Sequence, residues 1–205
     1  MRENMIIGID IDNTLTKVQE ELNQAAFEYA KKLGKDVKDA NNPLEDIKNN
    51  RDTYKAKFKF NYEELQYFLR EIQEKITNKA MPRDGVVEAI KKLRNKGHLI
   101  YIVTARDSEF HDDPYILSKN WLDKNNIEYD KLIVNARQKA PVCNQEKVEL
   151  FIDDQLNNCL DIQKIGIKAI RISDDNKTFE NIITFENIIT LHNWNEIYRY
   201  ITEME

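Results

Sequence analysis

Residues 5–11 (MIIGIDI), 99–103 (LIYIV) and 150–152 (LFI) form three short apolar runs, each closing on a polar residue, and they restrict the fold more than anything else in the chain. Runs of this length, rich in β-branched residues, read as strands buried on both faces. From Pro82 onward they alternate with stretches of helical periodicity. Asp84 stands where it can cap a helix carrying Val86, Val87, Ile90 and Leu93, with Gly97 as its stop. The spacing predicts further helices at 115–124, just after Pro141, at 157–165 and at 194–204, and further strands at 131–134 and 168–172. Strands alternating with helices imply an α/β fold, a parallel sheet covered by helices on both faces.

The first run must reach that sheet across a long interruption of mostly helical character. Val18, Leu22, Ala26, Ala30 and Leu33 recur at helical spacing before Gly34, and Leu65, Phe68, Leu69, Ile72 and Ile76 do so again. Asn41-Asn42-Pro43 reads as a turn, while residues 49–60 are too polar and irregular to assign. The expected organisation is a core built from residues 1–15 and 81–205, with residues 16–80 inserted as a small helical cap. One hexapeptide, FENIIT, occurs at 179–184 and again at 185–190. Two copies of so short a period are no solenoid. Replication slippage explains them, and a lengthened peripheral loop or strand is the expected result.

Composition sets outer limits. The chain of 205 residues has 36 acids against 31 bases and a net charge of −5. Such a balance argues against a duplex nucleic-acid partner held by bulk electrostatics, though not against a small phosphorylated ligand. Cys143 and Cys159 do not suggest a disulfide framework. No apolar stretch is long enough to span a bilayer and residues 1–4 lead into no signal-peptide core, so no membrane partner and a cytoplasmic location are expected.

The polar residues that close the apolar runs carry the chemistry. After the first come Asp10 and Asp12, which alternation along an extended chain sets on one side. Two carboxylates that close repel one another unless a cation or a shared proton intervenes, and a divalent metal would resolve the conflict. Thr104, Ala105 and Arg106 follow the second run, and Asp153-Asp154 the third. Ligands of open parallel sheets bind beyond the carboxyl ends of the strands, so these ends can share one pocket, with Lys139 adding positive charge. Taken singly each residue has a plainer explanation: a turn or helix-cap aspartate, a strand-end hydroxyl, a solvated lysine, a surface arginine. Their order along the chain, a strand with D-x-D-x-T, a strand with Thr, a Lys and a strand with DD, favours a phosphoryl-transfer site.

DIDNTLT, IVTAR, Lys139 and FIDD resemble, in order, the four motifs of the haloacid-dehalogenase-like (HAD) phosphatase superfamily. Asn13 stands where many members carry Gly. The spacing of Lys139 and Asp153, the IDD ending and the helical cap are most similar to the 5'(3')-deoxyribonucleotidase-like group. The resemblance implies a Rossmann-like core with a C1-type cap and an Mg²⁺-dependent hydrolase of a small phosphate ester, a nucleotide first among candidates. It further implies Asp10 as nucleophile, Asp12 as acid and base, and Thr104 and Lys139 as catalytic groups that also contact the phosphate. Ala105 and Arg106 join the substrate side, and Asp10, Asp12, Asp153 and Asp154 the metal side. A sugar phosphate or a polynucleotide end remains an alternative substrate, and an Mg²⁺- and phosphate-binding module without turnover an alternative activity.

Overall fold

The computed structural model describes residues 4–37, 50–174 and 188–204. In chain order the elements are β1 (Ile6–Ile9), α1 (Gln19–Lys32), α2 (Asn50–Phe58), α3 (Tyr62–Tyr67), a π-helical stretch (Phe68–Gln73), α4 (Glu74–Lys79), α5 (Val86–Asn95), β2 (Leu99–Val103), α6 (Pro114–Lys124), β3 (Lys131–Ile133), α7 (Lys139–Gln145), β4 (Leu150–Asp153), α8 (Leu156–Lys164), β5 (Lys168–Ile172), β6 (Ile188–Leu191) and α9 (Trp194–Glu203). The strands form one six-stranded sheet in the order β3-β2-β1-β4-β5-β6. Every neighbouring pair runs parallel.

Alternation along each strand feeds two apolar layers. Ile7 and Ile9 of β1, Leu150 and Ile152 of β4, and Ile170 and Ile172 of β5 pack with Trp121, Trp194 and Ile197 on one face. Phe151, Ala169, Cys143 and Cys159 pack on the other. Gly8 is the exception in β1, and its neighbour explains it: a Cβ there would stand 2.7 Å from Phe151 Cδ2. Both cysteines are free and buried.

Helices α1 to α3 and the π-helical stretch assemble a third apolar cluster of their own. Ala26 and Ala30 meet Tyr54, Phe58, Phe60 and Phe68, and Phe110 from the loop after β2 joins them. The chain leaves and re-enters the sheet region side by side, with Thr16 and Pro82 forming an isolated antiparallel bridge.

Several local features depart from the sequence-based expectations. Asp84 does not cap α5: Gly85 takes the cap position at φ 80°, a left-handed conformation glycine adopts freely, and no side chain closes the helix end. The helical spacing of Leu65 to Ile76 is realised, but six residues there, Phe68 to Gln73, widen into a π-helix. Residues 50–58, left unassigned, are helical, and α7 begins at Lys139, ahead of Pro141, which fits in a first turn because its missing N–H would have no helical partner there. The turn expected at Asn41-Asn42-Pro43 and the first FENIIT copy lie outside the described residues. The second copy supplies Ile188, Ile189 and Thr190 to the edge strand β6. Among the described residues no helix is long and apolar enough to cross a membrane.

Candidate active site

The winding of the sheet locates the site. From β1 the chain builds outward through β2 and β3, then returns past β1 to start β4 on its other side. Loops part at such a switch point and leave a crevice beyond the strand ends. Asp10 follows β1, Thr104 follows β2 and Asp153 ends β4, so the three strand ends marked in the sequence are brought together. The Asp10 N–H donates to the Ile152 carbonyl at 3.0 Å, carrying the ladder up to the site.

Lys139, the first residue of α7, is almost wholly buried, with Nζ 2.7 Å from Asp10 Oδ1 and 2.6 Å from Asp153 Oδ2. Burial opposes its charge, but the carboxylates of Asp10 and Asp153 outweigh burial and hold its pKa above the usual lysine range. Asp153 has no exposure, and its oxygens also accept from the Gln155 N–H at 2.8 Å and from Asn158 Nδ2 at 3.0 Å. Thr14 Oγ1 donates to Asp154 at 3.4 Å. Carboxylate oxygens of Asp10, Asp153 and Asp154 all lie within 4.8 Å of one another.

This crowding has an electrostatic signature. Burial first, with the charges of Asp153 and Asp12 adding to it and Lys139 opposing it, raises the Asp10 carboxyl to about 7. Burial followed by the charges of Asp153 and Asp10 drives Asp154 well above the carboxylate range. Buried carboxylates gathered this closely, all oxygen donors with no His or Cys among them, suit a hard divalent cation such as Mg²⁺. The donor set therefore fits the metal that the motifs imply. The Asp12 carboxylate stands outside this group.

Asp12 instead faces Arg106, whose Nε and Nη2 grip its two oxygens at 2.9 and 2.8 Å. Burial raises the Asp12 pKa and the guanidinium lowers it, and the guanidinium prevails. Arg106 Nη1 is buried without a partner. The Thr104 hydroxyl accepts from the Arg106 N–H at 3.3 Å. Asp10, Asp12, Thr104, Ala105, Arg106 and Lys139 all line one cleft of about 160 Å³. Asp153 and Asp154 do not line it, and Asp154 borders a neighbouring groove with Arg171 and Asp174.

The cleft also holds residues the sequence reading passed over. His111 is buried on the cleft wall with Nδ1 3.1 Å from Glu74 Oε2. Gln19, Tyr54 and Gln73 reach the wall from α1, α2 and the π-helical stretch, and Arg137 and Asn158 from the sheet side. His111 stands soon after Thr104, a spacing that could have flagged it. Nothing local marks Gln73, since the widened turn that directs it is invisible to a 3.6-residue period.

A family model described as haloacid dehalogenase-like hydrolase matches residues 5–157. A nucleotidase of Clostridium acetobutylicum is 32% identical over 146 residues, 69% of this chain and 70% of its own. A second relative, from Halalkalibacterium halodurans, is 23% identical over 204 residues, 99% of this chain and 95% of its own. Among solved structures, a predicted phosphatase from Clostridium acetobutylicum superposes with a TM-score of 0.70 at 14% identity, covering 98% of this chain and 100% of that one. A haloacid dehalogenase-like protein from Streptococcus pneumoniae gives 0.63 at 16% identity, covering 97% and 98%. At such identities the structural likeness speaks for the fold.

Proposed function

Because this chain belongs to the haloacid dehalogenase-like hydrolases, we propose that it is a phosphomonoesterase using the Asp10 carboxylate as its nucleophile, with a nucleoside monophosphate as the first candidate substrate. One observation carries the reading: Lys139 sits between Asp10 and Asp153 at the edge of a three-carboxylate cluster, on a cleft that Asp12 and Thr104 also line. In this reading Asp10 attacks phosphorus through the oxygen that Lys139 does not take. The ester P–O bond breaks as the new one forms, the alcohol leaves with a proton, and water then hydrolyses the aspartyl-phosphate to free phosphate.

Asp12 supplies that proton and later accepts one from the attacking water. Arg106 favours its ionised form, which suits the second step; for the first, protonation of Asp12 has to loosen their grip. The Thr104 hydroxyl binds the phosphoryl group, with the backbone of Ala105 beside it, and Lys139 balances negative charge between that group and Asp10. Arg106 contacts the substrate through its spare Nη1. Asp10, Asp153, Asp154 and the Asp12 carbonyl would hold Mg²⁺, which supplies charge neutralisation on the phosphoryl oxygens.

Residues 16–80 act as a cap that excludes water and selects the leaving group. Nucleotide preference finds support in the nucleotidase relative. The test is phosphate release from a panel of nucleotides and sugar phosphates with Mg²⁺, for wild type and Asp10→Asn. Release from nucleoside monophosphates that vanishes in the variant is the expected result. Release confined to sugar phosphates would keep the mechanism and discard the nucleotide. Equal release by both proteins would refute the Asp10 nucleophile, and phosphate retained on Asp10 without turnover would favour a binding module.

A further inference from the structure

Between Asp12 and the first insert helix the chain makes a tight turn, residues 13–16, that must hold the strand-end acids while redirecting the backbone. Asn13 sits there at φ 62°, in the left-handed region. Asn tolerates this region better than most residues but still at some cost, so surrounding contacts must hold it. Local bonds contribute: the Asn13 N–H donates to Thr16 Oγ1 at 3.0 Å, Asn13 Oδ1 accepts from the Val18 N–H at 3.2 Å, and the Leu15 N–H donates to the Ile11 carbonyl at 2.9 Å.

The carbonyls of the turn tell more. All of them, Asn13, Thr14, Leu15 and Thr16, accept from residues distant in sequence, and three accept from Arg83. Arg83 Nε donates to Asn13 O at 3.0 Å and to Thr16 O at 2.8 Å, Nη2 donates to Asn13 O at 2.8 Å, and the Arg83 N–H donates to Leu15 O at 2.7 Å. Trp194 Nε1 serves Thr14 O at 3.1 Å. The far edge of the guanidinium is squared by Asp174, with Nη1 and Nη2 at 2.8 and 3.1 Å from its two oxygens. Arg83 does not line the cleft. It stands directly after Pro82, where the chain returns from the insert.

We propose that Arg83 is a positioning residue for the reaction: it clamps the turn that aims Asp12 at the leaving group, and Asp174 orients the clamp. This rests on the phosphomonoesterase reading above. Only a planar fork can span both carbonyls and the carboxylate together, so lysine is no substitute. Because the clamp touches no substrate, its loss lowers turnover and not affinity. A displacement near 1 Å at a reacting group costs roughly 100-fold.

The experiment follows phosphate release from β-glycerophosphate, an alkyl ester whose leaving group needs a proton, with Mg²⁺ by wild type, Arg83→Lys and Asp174→Asn, with circular dichroism and thermal melts beside it. The expected result for Arg83→Lys is native secondary structure and kcat lower by about 10- to 100-fold with KM within about threefold. Asp174→Asn is expected to show a smaller fall of the same kind, and it decides the matter if Arg83→Lys does not fold. Folded variants with wild-type kcat, or with losses confined to KM, overturn the clamp and leave the phosphomonoesterase intact. A wild type that releases no phosphate from any ester overturns both.

Discussion

Lys139 carries much of the site's electrostatics, since among the described residues it alone bridges Asp10 and Asp153. Removing one member of a buried ion pair leaves the rest uncompensated, at a cost of about 3–5 kcal/mol. Lys139→Met is accordingly expected to lower the melting temperature of metal-free protein measurably, and to abolish turnover. An unchanged melt would mean that Asp10 already shares a proton with its neighbours. Arg106 tests the other carboxylate. Without its guanidinium, the strongest pull lowering the Asp12 pKa is gone while burial still raises it, so in Arg106→Met the acid limb of the pH–rate profile moves to higher pH. p-Nitrophenyl phosphate isolates the base role, because its leaving group needs no proton. A limb that stays in place would remove Asp12 from the mechanism. Asp10, Asp12, Thr104 and the Asp153 pair were legible in the sequence because each follows an unmistakable strand, and Lys139 only through its place in the order of those motifs. The Arg106–Asp12 grip was not, since it joins residues 94 positions apart through a turn whose geometry no local pattern encodes.

Among elements, β1 is the most constrained, flanked by β2 and β4 and carrying Asp10 at its end. Gly8→Ala would force its new carbon into Phe151, an overpacking that costs about 1–3 kcal/mol. A denaturant titration should show that loss, and Phe151→Leu in the same chain should recover part of it. Additive effects would instead place the strain elsewhere. β6 makes the opposite case. Its Ile-Ile-Thr-Leu comes from the second FENIIT copy and the residue after it, so deleting one copy regenerates the same strand sequence. That deletion is expected to leave the melting temperature within about 2 °C, as for a change confined to a connecting segment. The central strands were legible as apolar runs, and the amphipathic helices by their period. The edge strand β6 was foreseen only as a peripheral loop or strand, because an edge needs no continuous apolar run. Helix α2 was also missed, because its buried Tyr54 and Phe58 are held by other helices more than by any pattern of their own.

The molecule as a whole inherits a pH dependence from its crowded acids. Asp10 and Asp154 bind protons more tightly when folded than when unfolded, so the native state is favoured at low pH. That advantage is lost as pH rises from about 4 to about 7 and beyond. Asp12 contributes the reverse, a stability lost only as pH falls below its ordinary range. A divalent cation would replace those protons, so Mg²⁺ should raise the melting temperature more at about pH 8 than at about pH 5. Equal shifts at both pH values would argue against the carboxylate cluster as its site. The cleft of about 160 Å³ is below the ~300–1,000 Å³ usual for small-molecule sites, so admitting a nucleoside would require α1 to α4 to lift. The paired crossing at Thr16 and Pro82 has a consequence for that whole insert. With its two ends pinned together at the sheet, the insert behaves as a closed loop, and doubling the length of such a loop costs only about 0.6 kcal/mol of closure entropy. The junction is thus a socket. If residues 16–80 are the cap proposed above, helical segments of other lengths and surfaces could be exchanged there with little penalty to the sheet, which would let one core acquire new selectivities by changing what is plugged into it.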